Sequence, residues 1–170
     1  MQSNLSLCGV ACRANRHVGA HRYGAGMVVP ARISLVTVGV RDLVTATQFY
    51  EAIGFELSSA SVPGEVSFFH TGGAILALWG VTDLAADAGL SAPELDRFRG
   101  CALAINVESP AEVDAAIETA ERAGGLAVKR GTATDWGGYS GYFADIEGTL
   151  WEVAHNPFWP LDERGLPQLP

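Results

Sequence analysis

The residue best placed to do chemistry is Glu152, the one acidic side chain in the otherwise apolar run Thr149–His155. Trp151 and Val153 flank it, and an unpaired charge is costly to bury among such neighbours. A metal ligand, a group that handles a substrate proton, an arginine partner or a solvent-exposed side chain would each explain a carboxylate at this position. The elements around Glu152 help to choose among these four explanations.

Other candidate ligands are few and scattered along the chain. Two cysteines near the N-terminus have a C-x3-C spacing, with no second pair to complete a zinc site. Cys101 opens an apolar strand, and we expect it to be a small core residue. His70 ends a strand and is expected to be exposed, whereas His155 falls on the opposite face of its strand from Glu152. Because the cysteines form no disulfide framework, we expect a cytoplasmic protein.

The composition describes a globular chain with an acidic body. Of the 170 residues, 48% are hydrophobic and 18% are charged, which suits one domain of ordinary size. The formal net charge is −8, and the acidic side chains all follow residue 26. An acidic surface argues against nucleic acid and against an anionic membrane as partners. No apolar run reaches the roughly 20 residues that a membrane-spanning helix needs, so we predict a soluble protein.

Residues 1–26 differ in character from the remainder. They contain Arg13, Arg16 and Arg22, no acidic side chain and no apolar periodicity. An arginine-rich, acid-poor segment is typical of a targeting peptide, and it is also typical of a disordered basic extension. We expect the disordered extension, with Met27 opening a single folded domain over residues 27–160.

The first half of the domain predicts a β-α-β-β-β order. The β-branched run Ile33–Val40 is a strand, and Asp42 can cap the helix that follows it. Apolar residues then recur on one helical face as far as Ile53, and Gly54 ends the helix. Three short strands follow, separated by turns that contain glycine: Phe55–Ala60, Val66–His70 and Ala74–Trp79.

The second half predicts the same order after an acidic linker, residues 81–99, in which Leu84–Ala88 is a candidate short helix. Ser109 and Glu112 provide an N-cap and a capping box for the second main helix, and Gly124 ends its apolar stripe. The predicted strands are Cys101–Val107, Leu126–Lys129, Tyr139–Ala144 and Thr149–His155. The turn Asp145–Gly148 joins the last two strands as a hairpin.

The two halves therefore repeat one unit, and this repetition decides the predicted fold class. We predict an α+β fold of two tandem βαβββ modules, at about residues 31–80 and 100–157, followed by a proline-containing tail at residues 161–170. Aligning the modules makes Leu35 the counterpart of Ala102, and Ala77 the counterpart of Glu152.

The sequence resembles the vicinal oxygen chelate superfamily, the group of glyoxalases, bleomycin resistance proteins and extradiol dioxygenases. The similarity lies in Val38–Leu43, Gln48–Phe55 and Tyr142–Val153. The third segment is similar to the family signature aromatic-x-D-P-x-G-x-x-x-E, with Ile146 in place of the usual proline. The resemblance implies that the modules form a cupped, open mixed β-barrel with helices outside. It also implies a ligand site inside the cup and a homodimer.

Metal-using members of this family bind a divalent ion through His, Gln or Glu on the first and last strands of each module. The resemblance carries those positions to Leu35, Ala77, Ala102 and Glu152. Only Glu152 has a donor atom, and a catalytic ion needs three or more ligands. We therefore predict a site without a metal or other cofactor.

Strand alternation extends this prediction to a binding site. If Glu152 faces the cup, alternation turns a mostly apolar set of side chains inward on the neighbouring strands. Trp136, followed by two glycines, is a candidate flap over the cup mouth, and Lys129 or Arg130 is a candidate partner for an anionic ligand. The predicted ligand-binding residues are Leu35, Thr37, Ala77, Trp79, Ala102, Asn106, Trp136 and Glu152.

Three functions fit such a cup. The first is metal-free binding of a small hydrophobic or aromatic molecule, with Glu152 as a directing polar group. The second is a lyase or isomerase of the glyoxalase type in which Glu152 is the catalytic general base, because desolvation makes a carboxylate a stronger base. The third is a metal-dependent lyase or dioxygenase with unconventional ligands. Whether the protein is an enzyme stays open, because a binding carboxylate and a general base look alike in sequence.

Overall fold

The computed structural model describes residues 30–95 and 97–169. Its helices and strands belong to one unit, Leu35–Pro170. The predictions of a disordered extension over residues 1–26, of a domain start at Met27 and of unpaired Cys8 and Cys12 lie outside the described residues. Within the described part, no helix has the length and apolar character needed to cross a membrane.

The first module has the predicted β-α-β-β-β order. Its elements are β1 (Leu35–Val40), α1 (Leu43–Ala52), β2 (Glu56–Leu57), β3 (Val66–His70) and β4 (Ile75–Gly80). The strands form a sheet in the order β1-β4-β3-β2, in which β1 is parallel to β4 and the other pairs are antiparallel. Strand β2 is shorter than the predicted Phe55–Ala60. The backbone N–H of Phe68 donates to the Ser61 hydroxyl at 2.9 Å, so it does not make the backbone bond that a longer β2 would need.

The second module repeats this topology. Its elements are β5 (Ala102–Asn106), α3 (Pro110–Arg122), β6 (Leu126–Ala133), β7 (Tyr139–Ala144) and β8 (Leu150–His155), with α2 (Val81–Asp87) between the modules. The strand order is β5-β8-β7-β6, with β5 parallel to β8 and the other pairs antiparallel. The repeat and the α+β class are therefore confirmed, and the two sheets are cupped without closing into a barrel.

Two elements are longer than the sequence predicted. Strand β6 continues past Lys129 to Ala133, with register shifts on either side of Lys129. The strand therefore includes four of the nine residues between the two predicted strands, and the remaining turn spans residues 134–138. Helix α2 begins directly after β4 rather than at Leu84, and the connector proper is residues 88–101. Leu95 in that connector is buried, so the connector is not wholly solvated.

The helix ends follow the local signals in the sequence. Asp42 Oδ1 accepts a hydrogen bond from Thr45 N at 3.0 Å, and Ser109 Oγ accepts one from Glu112 N at 3.3 Å. The Glu112 carboxylate reaches back to Glu108 N at 3.0 Å, one residue before the position that a capping box usually serves. Gly54, just past α1, has a φ of 100°, which favours glycine at this position.

One hydrophobic core joins the two modules on the helix side of the sheets. It combines residues of both sheets with α1 and α3, including Val38, Leu78, Ile117, Phe143, Trp151 and Val153. Aromatic rings cross the module boundary: the Trp151 ring lies 6.0 Å from the Tyr50 ring and 5.7 Å from the Phe55 ring, between centroids. Trp151 and Val153 thus face the helix layer, as strand alternation predicts.

The turn between β7 and β8 anchors the second module to α1. Tyr50 donates its hydroxyl proton to Asp145 Oδ2 at 2.7 Å and accepts a bond from Trp151 Nε1 at 3.1 Å. Arg41 Nε donates to Glu147 Oε2 at 2.8 Å. Asp145 and Glu147 are both buried, so this turn places two carboxylates in the module interface with partners for each. Burial, followed by the charge and hydrogen bond of Asp145, raises the pKa of Tyr50 well above its ordinary value.

The C-terminal tail packs against the turn between β3 and β4. A Cβ atom on Gly72 would lie 2.6 Å from the carbonyl oxygen of Arg164, and one on Gly73 would contact Leu166. Leu161 and Pro167 form an isolated bridge within the tail. The tail therefore returns to its own domain through residues 161–167.

Cys101 is the clearest local error of the sequence interpretation. It is exposed rather than a core residue. Strand β5 begins at Ala102, so Cys101 lies on the connector and not inside the strand.

Candidate functional site

The open face of the second sheet, on the side away from the helices, carries Glu152. Strand pairing places Ala104, Glu152, Tyr142 and Lys129 in one row across β5, β8, β7 and β6. Glu152 and Tyr142, on the two central strands, are half-buried, whereas Ala104 and Lys129, on the two edge strands, are exposed. We call these residues the Glu152 row.

The Glu152 row is an electrostatically linked group. Tyr142 lies directly opposite Glu152 across β7 and β8. Burial raises the pKa of Tyr142, and the facing carboxylate of Glu152 raises it further, so the phenol stays protonated at neutral pH. The Lys129 ammonium lies 5.9 Å from the centroid of the Tyr142 ring, within cation–π range. The row therefore presents an acid, a phenol and a cation on one surface.

Small or apolar residues surround the Glu152 row on the same face. On one side lie Ala102, Leu150, Ala144 and Leu126, and on the other lie Asn106, Ala154 and Ser140. Ala102 and Leu126 are exposed, whereas Ala154 and Ser140 are buried. Asn106 and Ser140 are therefore the only polar side chains in these two flanking sets.

The equivalent row of the first sheet consists of Thr37, Ala77 and Phe68. Because Thr37 pairs with Ala77 as Ala104 pairs with Glu152, the predicted correspondence of Ala77 with Glu152 holds in the strand register. Ala77 has no exposed surface and Phe68 is 6% exposed. These two residues are therefore buried, whereas their counterparts in the second sheet, Glu152 and Tyr142, keep part of their surface.

The eight predicted ligand-binding residues fall in three places. Ala102, Asn106 and Glu152 share the open face of the second sheet. Leu35, Thr37, Ala77 and Trp79 lie on the first sheet, where Ala77 and Trp79 are buried. Trp136 lies in the turn between β6 and β7. Thr37 and Asn106 line two different cavities, of about 440 and 490 Å³.

Trp136 is folded over its own turn. Its ring lies against Gly138, at a position that a Cβ atom on that residue would occupy. Gly138 N donates to Thr134 Oγ1 at 3.0 Å, which closes the turn. The side chain is 48% exposed. Of the two candidate cations nearby, Arg130 is engaged in a two-point ion pair with Glu121, which leaves Lys129 for the open face.

Tyr142 is the cross-strand partner that the sequence interpretation did not assign to Glu152. The sequence contains a signal for it, because the Asp145–Gly148 turn fixes the hairpin register. Counting outward from that turn pairs Ala144 with Leu150 and Tyr142 with Glu152. Lys129 could not be placed in the same way, since the register shifts in β6 adjoin it.

The donor set does not fit a divalent metal ion. Leu35, Ala77 and Ala102 offer no donor atom at the positions equivalent to metal ligands, and only Glu152 remains. Among the described residues, no three His, Cys, Asp or Glu side chains are grouped so that they could hold an ion. No reaction step through a metal is therefore derived for this site.

Comparison with known proteins agrees with this fold. The family model of the Glyoxalase/Bleomycin resistance protein/Dioxygenase superfamily matches residues 32–153. A glyoxalase-related enzyme from Fulvimarina pelagi is 32% identical in sequence, and its crystal structure is similar with a TM-score of 0.75 over 82% of this chain and 99% of that one. No curated protein matches the chain.

Two further crystal structures are more distant. A glyoxalase/bleomycin resistance protein/dioxygenase from Nocardioides is 28% identical, with a TM-score of 0.64 over 76% of this chain and 86% of its own. A lactoylglutathione lyase from Agrobacterium tumefaciens is 24% identical, with a TM-score of 0.61 over 79% of this chain and 100% of its own. The latter similarity concerns the fold.

Proposed function

Because this chain belongs to the Glyoxalase/Bleomycin resistance protein/Dioxygenase superfamily, we propose that the open face of its second sheet binds a small hydrophobic or aromatic molecule without a metal. Glu152 is the directing polar group of this site. The ligand class follows from the surface: an apolar body rests on the small residues around the Glu152 row, and a hydrogen-bond donor or amine meets the carboxylate.

The observation that carries this proposal is the partner of Glu152. Glu121 and Glu147 each form an ion pair with an arginine, whereas Glu152 forms no ion pair with any described residue and faces the neutral phenol of Tyr142 across the strands. A neutral phenol leaves the negative charge of the facing carboxylate uncompensated. A ligand that brings a positive or donor group would complete that pairing.

Tyr142 and Lys129 add selectivity to this surface. The Tyr142 ring is half-buried and offers an aromatic edge for a flat ligand. Lys129 lies on the far side of that ring and attracts electron-rich substituents. The preferred ligand is therefore an aromatic compound with a donor at one end.

A second copy of the chain would complete the cup. Ala102 and Leu126 lie on the open face and are exposed, and Leu126 keeps 65% of its surface. Homodimerisation over this face would bury these side chains and enclose the ligand. Sedimentation equilibrium tests this: a dimer is expected, and Leu126→Asp is expected to shift it towards monomer. A monomer at all concentrations would leave the face open and contradict the enclosed cup.

The binding proposal is tested by calorimetry with matched aromatic ligands. Naphthylmethylamine should bind more tightly than naphthalenemethanol, because its ammonium pairs with Glu152. Glu152→Gln should weaken amine binding by about tenfold or more and leave the alcohol nearly unchanged, since a charge-assisted bond contributes about 1.5–3 kcal/mol. Glu51→Gln, which removes an exposed carboxylate of α1, is the control. Equal binding by wild type and Glu152→Gln would contradict the role of Glu152.

An enzymatic role is the second candidate, and one comparison favours it. The Fulvimarina pelagi protein, 32% identical, is described as a glyoxalase-related enzyme. In a lyase or isomerase of this type, Glu152 would be the catalytic base that removes a proton from the carbon beside a carbonyl group. Deuterium uptake from D2O at that carbon of a bound carbonyl compound, followed by mass spectrometry, reports such a step. Uptake that persists in Glu152→Gln would exclude Glu152 as the base.

A further inference from the structure

The cavity that Thr37 lines lies between β1, α2 and the connector. Its volume is about 440 Å³, and none of the Glu152 row residues lines it. Strand β1, helix α2 and residues 88–101 supply most of its wall, and the start of β8 closes it. A cavity of this volume accommodates a compound of about 15 non-hydrogen atoms at ordinary packing density.

Two exposed apolar side chains form part of the wall of this cavity. Leu90 is 70% exposed and Phe98 is 72% exposed, and both border the cavity from the connector. On the opposite side lie Val36, Val38 and Leu103, which belong to the first strands of the two modules. A bound apolar body would remove Leu90 and Phe98 from water, which is favourable.

One cation borders this apolar cavity. Arg99 Nη2 donates to Thr149 Oγ1 at 3.0 Å, and this neutral hydroxyl is its one hydrogen-bond partner among the described residues. By contrast, Arg41, Arg122, Arg130 and Arg164 each pair with a carboxylate. A guanidinium has five donor N–H groups and matches the geometry of a carboxylate. Thr149 fixes one edge of the Arg99 side chain and leaves the remaining donors for a ligand.

From this arrangement we propose that the cavity binds an amphipathic monocarboxylic acid. Its hydrocarbon or aryl body packs against Leu90, Phe98 and the first strands, and its carboxylate pairs with Arg99. This site is separate from the Glu152 row and selects ligands of the opposite charge: Glu152 attracts a donor or cation, whereas Arg99 attracts an anion.

A purely structural role for Arg99 predicts a different result. Burial raises the pKa of Tyr50, and the positive charge of Arg99 lowers it by a smaller amount. The electrostatic field of Arg99 therefore reaches the buried pair of Tyr50 and Asp145. If Arg99 served only to balance Asp145, its removal would lower stability and leave ligand binding unchanged. Binding and unfolding are therefore measured on the same variants.

Cys101 provides a site-specific reporter, because it is exposed and lines this cavity. In a C8S/C12S background it is the only thiol of the chain. Its rate of labelling by a maleimide is measured with decanoate and naphthalene-2-carboxylate, and with the corresponding neutral amides. Both acids should slow labelling at concentrations about tenfold lower than the amides, since the amides lack the charge that Arg99 binds.

Two arginine variants separate the site from general charge effects. Arg99→Gln should abolish the advantage of the acids over the amides, and Arg97→Gln, an exposed position on the same connector that does not line the cavity, should retain it. Leu90→Ser should weaken acids and amides alike. No protection of Cys101 up to the solubility of the acids, or equal effects of Arg97→Gln and Arg99→Gln, would overturn the proposal.

Glu152→Gln distinguishes this site from the proposed cup. Protection of Cys101 by the acids should be unchanged in that variant, because Glu152 does not line the cavity. Loss of protection would mean that the two surfaces form one site and would overturn the separation. A failure of naphthylmethylamine to bind would refute the Glu152 proposal and leave the acid site intact.

Discussion

Two cross-strand pairs at equivalent positions of the two modules have opposite characters. In the first module Phe68 faces Ala77 across β3 and β4, and both are buried. In the second module Tyr142 faces Glu152 across β7 and β8, and both keep part of their surface. The backbone pairing is the same, but the second module has a phenol and a carboxylate where the first has two apolar side chains. The repeat therefore has one apolar, buried face and one face with polar, partly exposed side chains.

The two hairpin turns differ in a parallel way. The β3–β4 turn packs against the C-terminal tail through Gly72 and Gly73. The β7–β8 turn, with Asp145 and Glu147, contacts α1 of the other module. The second module thus anchors the domain through its turn and leaves its sheet face free.

The largest expected effect on stability comes from placing a carboxylate on the first sheet, at the position equivalent to Glu152. Ala77→Glu places a carboxylate where the structure leaves no exposed surface, so it should lower the free energy of unfolding by about 4 kcal/mol or more. Glu152→Ala, at the half-buried equivalent, should change it by less than about 1 kcal/mol. Urea unfolding monitored by circular dichroism measures both. Similar losses in the two variants would refute the contrast between the faces.

The anchoring turn should show the next largest effect. Tyr50→Phe removes the hydroxyl that serves Asp145 and Trp151, so it should cost about 1–3 kcal/mol of unfolding free energy. Tyr139→Phe is the matched control, because its hydroxyl bonds to Asp114 at an exposed position. The control should lose less in the same urea titration. Equal losses would mean that the β7–β8 turn does not depend on Tyr50.

Alkaline pH tests the same anchor in the wild-type protein. The pKa of Tyr50 is raised above 10.0, so above that pH the folded state keeps a proton that the unfolded state releases. Stability should therefore be fully present below about pH 10 and fall as pH rises towards the folded pKa, by at most about 1.4 kcal/mol per pH unit for this group. Tyr50→Phe should flatten this decline, and Tyr142→Phe should flatten it less. An unchanged slope in Tyr50→Phe would contradict the assignment.

Removal of metal should have the smallest effect. Because three of the four positions equivalent to metal ligands carry no donor atom, EDTA should change neither the thermal midpoint nor ligand binding. Elemental analysis of the purified protein by mass spectrometry complements this measurement. A stoichiometric transition metal that is lost in Glu152→Gln would overturn the metal-free site and favour the metal-dependent alternative.

Local signals predicted most elements of the fold correctly. The caps at Asp42 and Ser109, the glycine after α1 and the hairpin turn at Asp145–Gly148 all lie as predicted. These features depend on side chains and backbone within a few residues of each other. The bounds of elements without such local signals were predicted less accurately. Strand β2 is shorter and β6 is longer than predicted, because hydrogen bonds to neighbouring strands decide where those strands end.

The sequence by itself determined the repeat and the α+β class. It also determined that Ala77 and Glu152 occupy equivalent positions in the two modules, and that one carboxylate lies in an apolar strand. Alternation and turn chemistry are local, so one chain can specify them. Only the tertiary structure decided that the second sheet is the open one, that Cys101 is exposed and that Arg99 borders a cavity instead of pairing with an acid. Those outcomes depend on contacts between residues 50 or more apart, where packing and charge pairing select one arrangement among many.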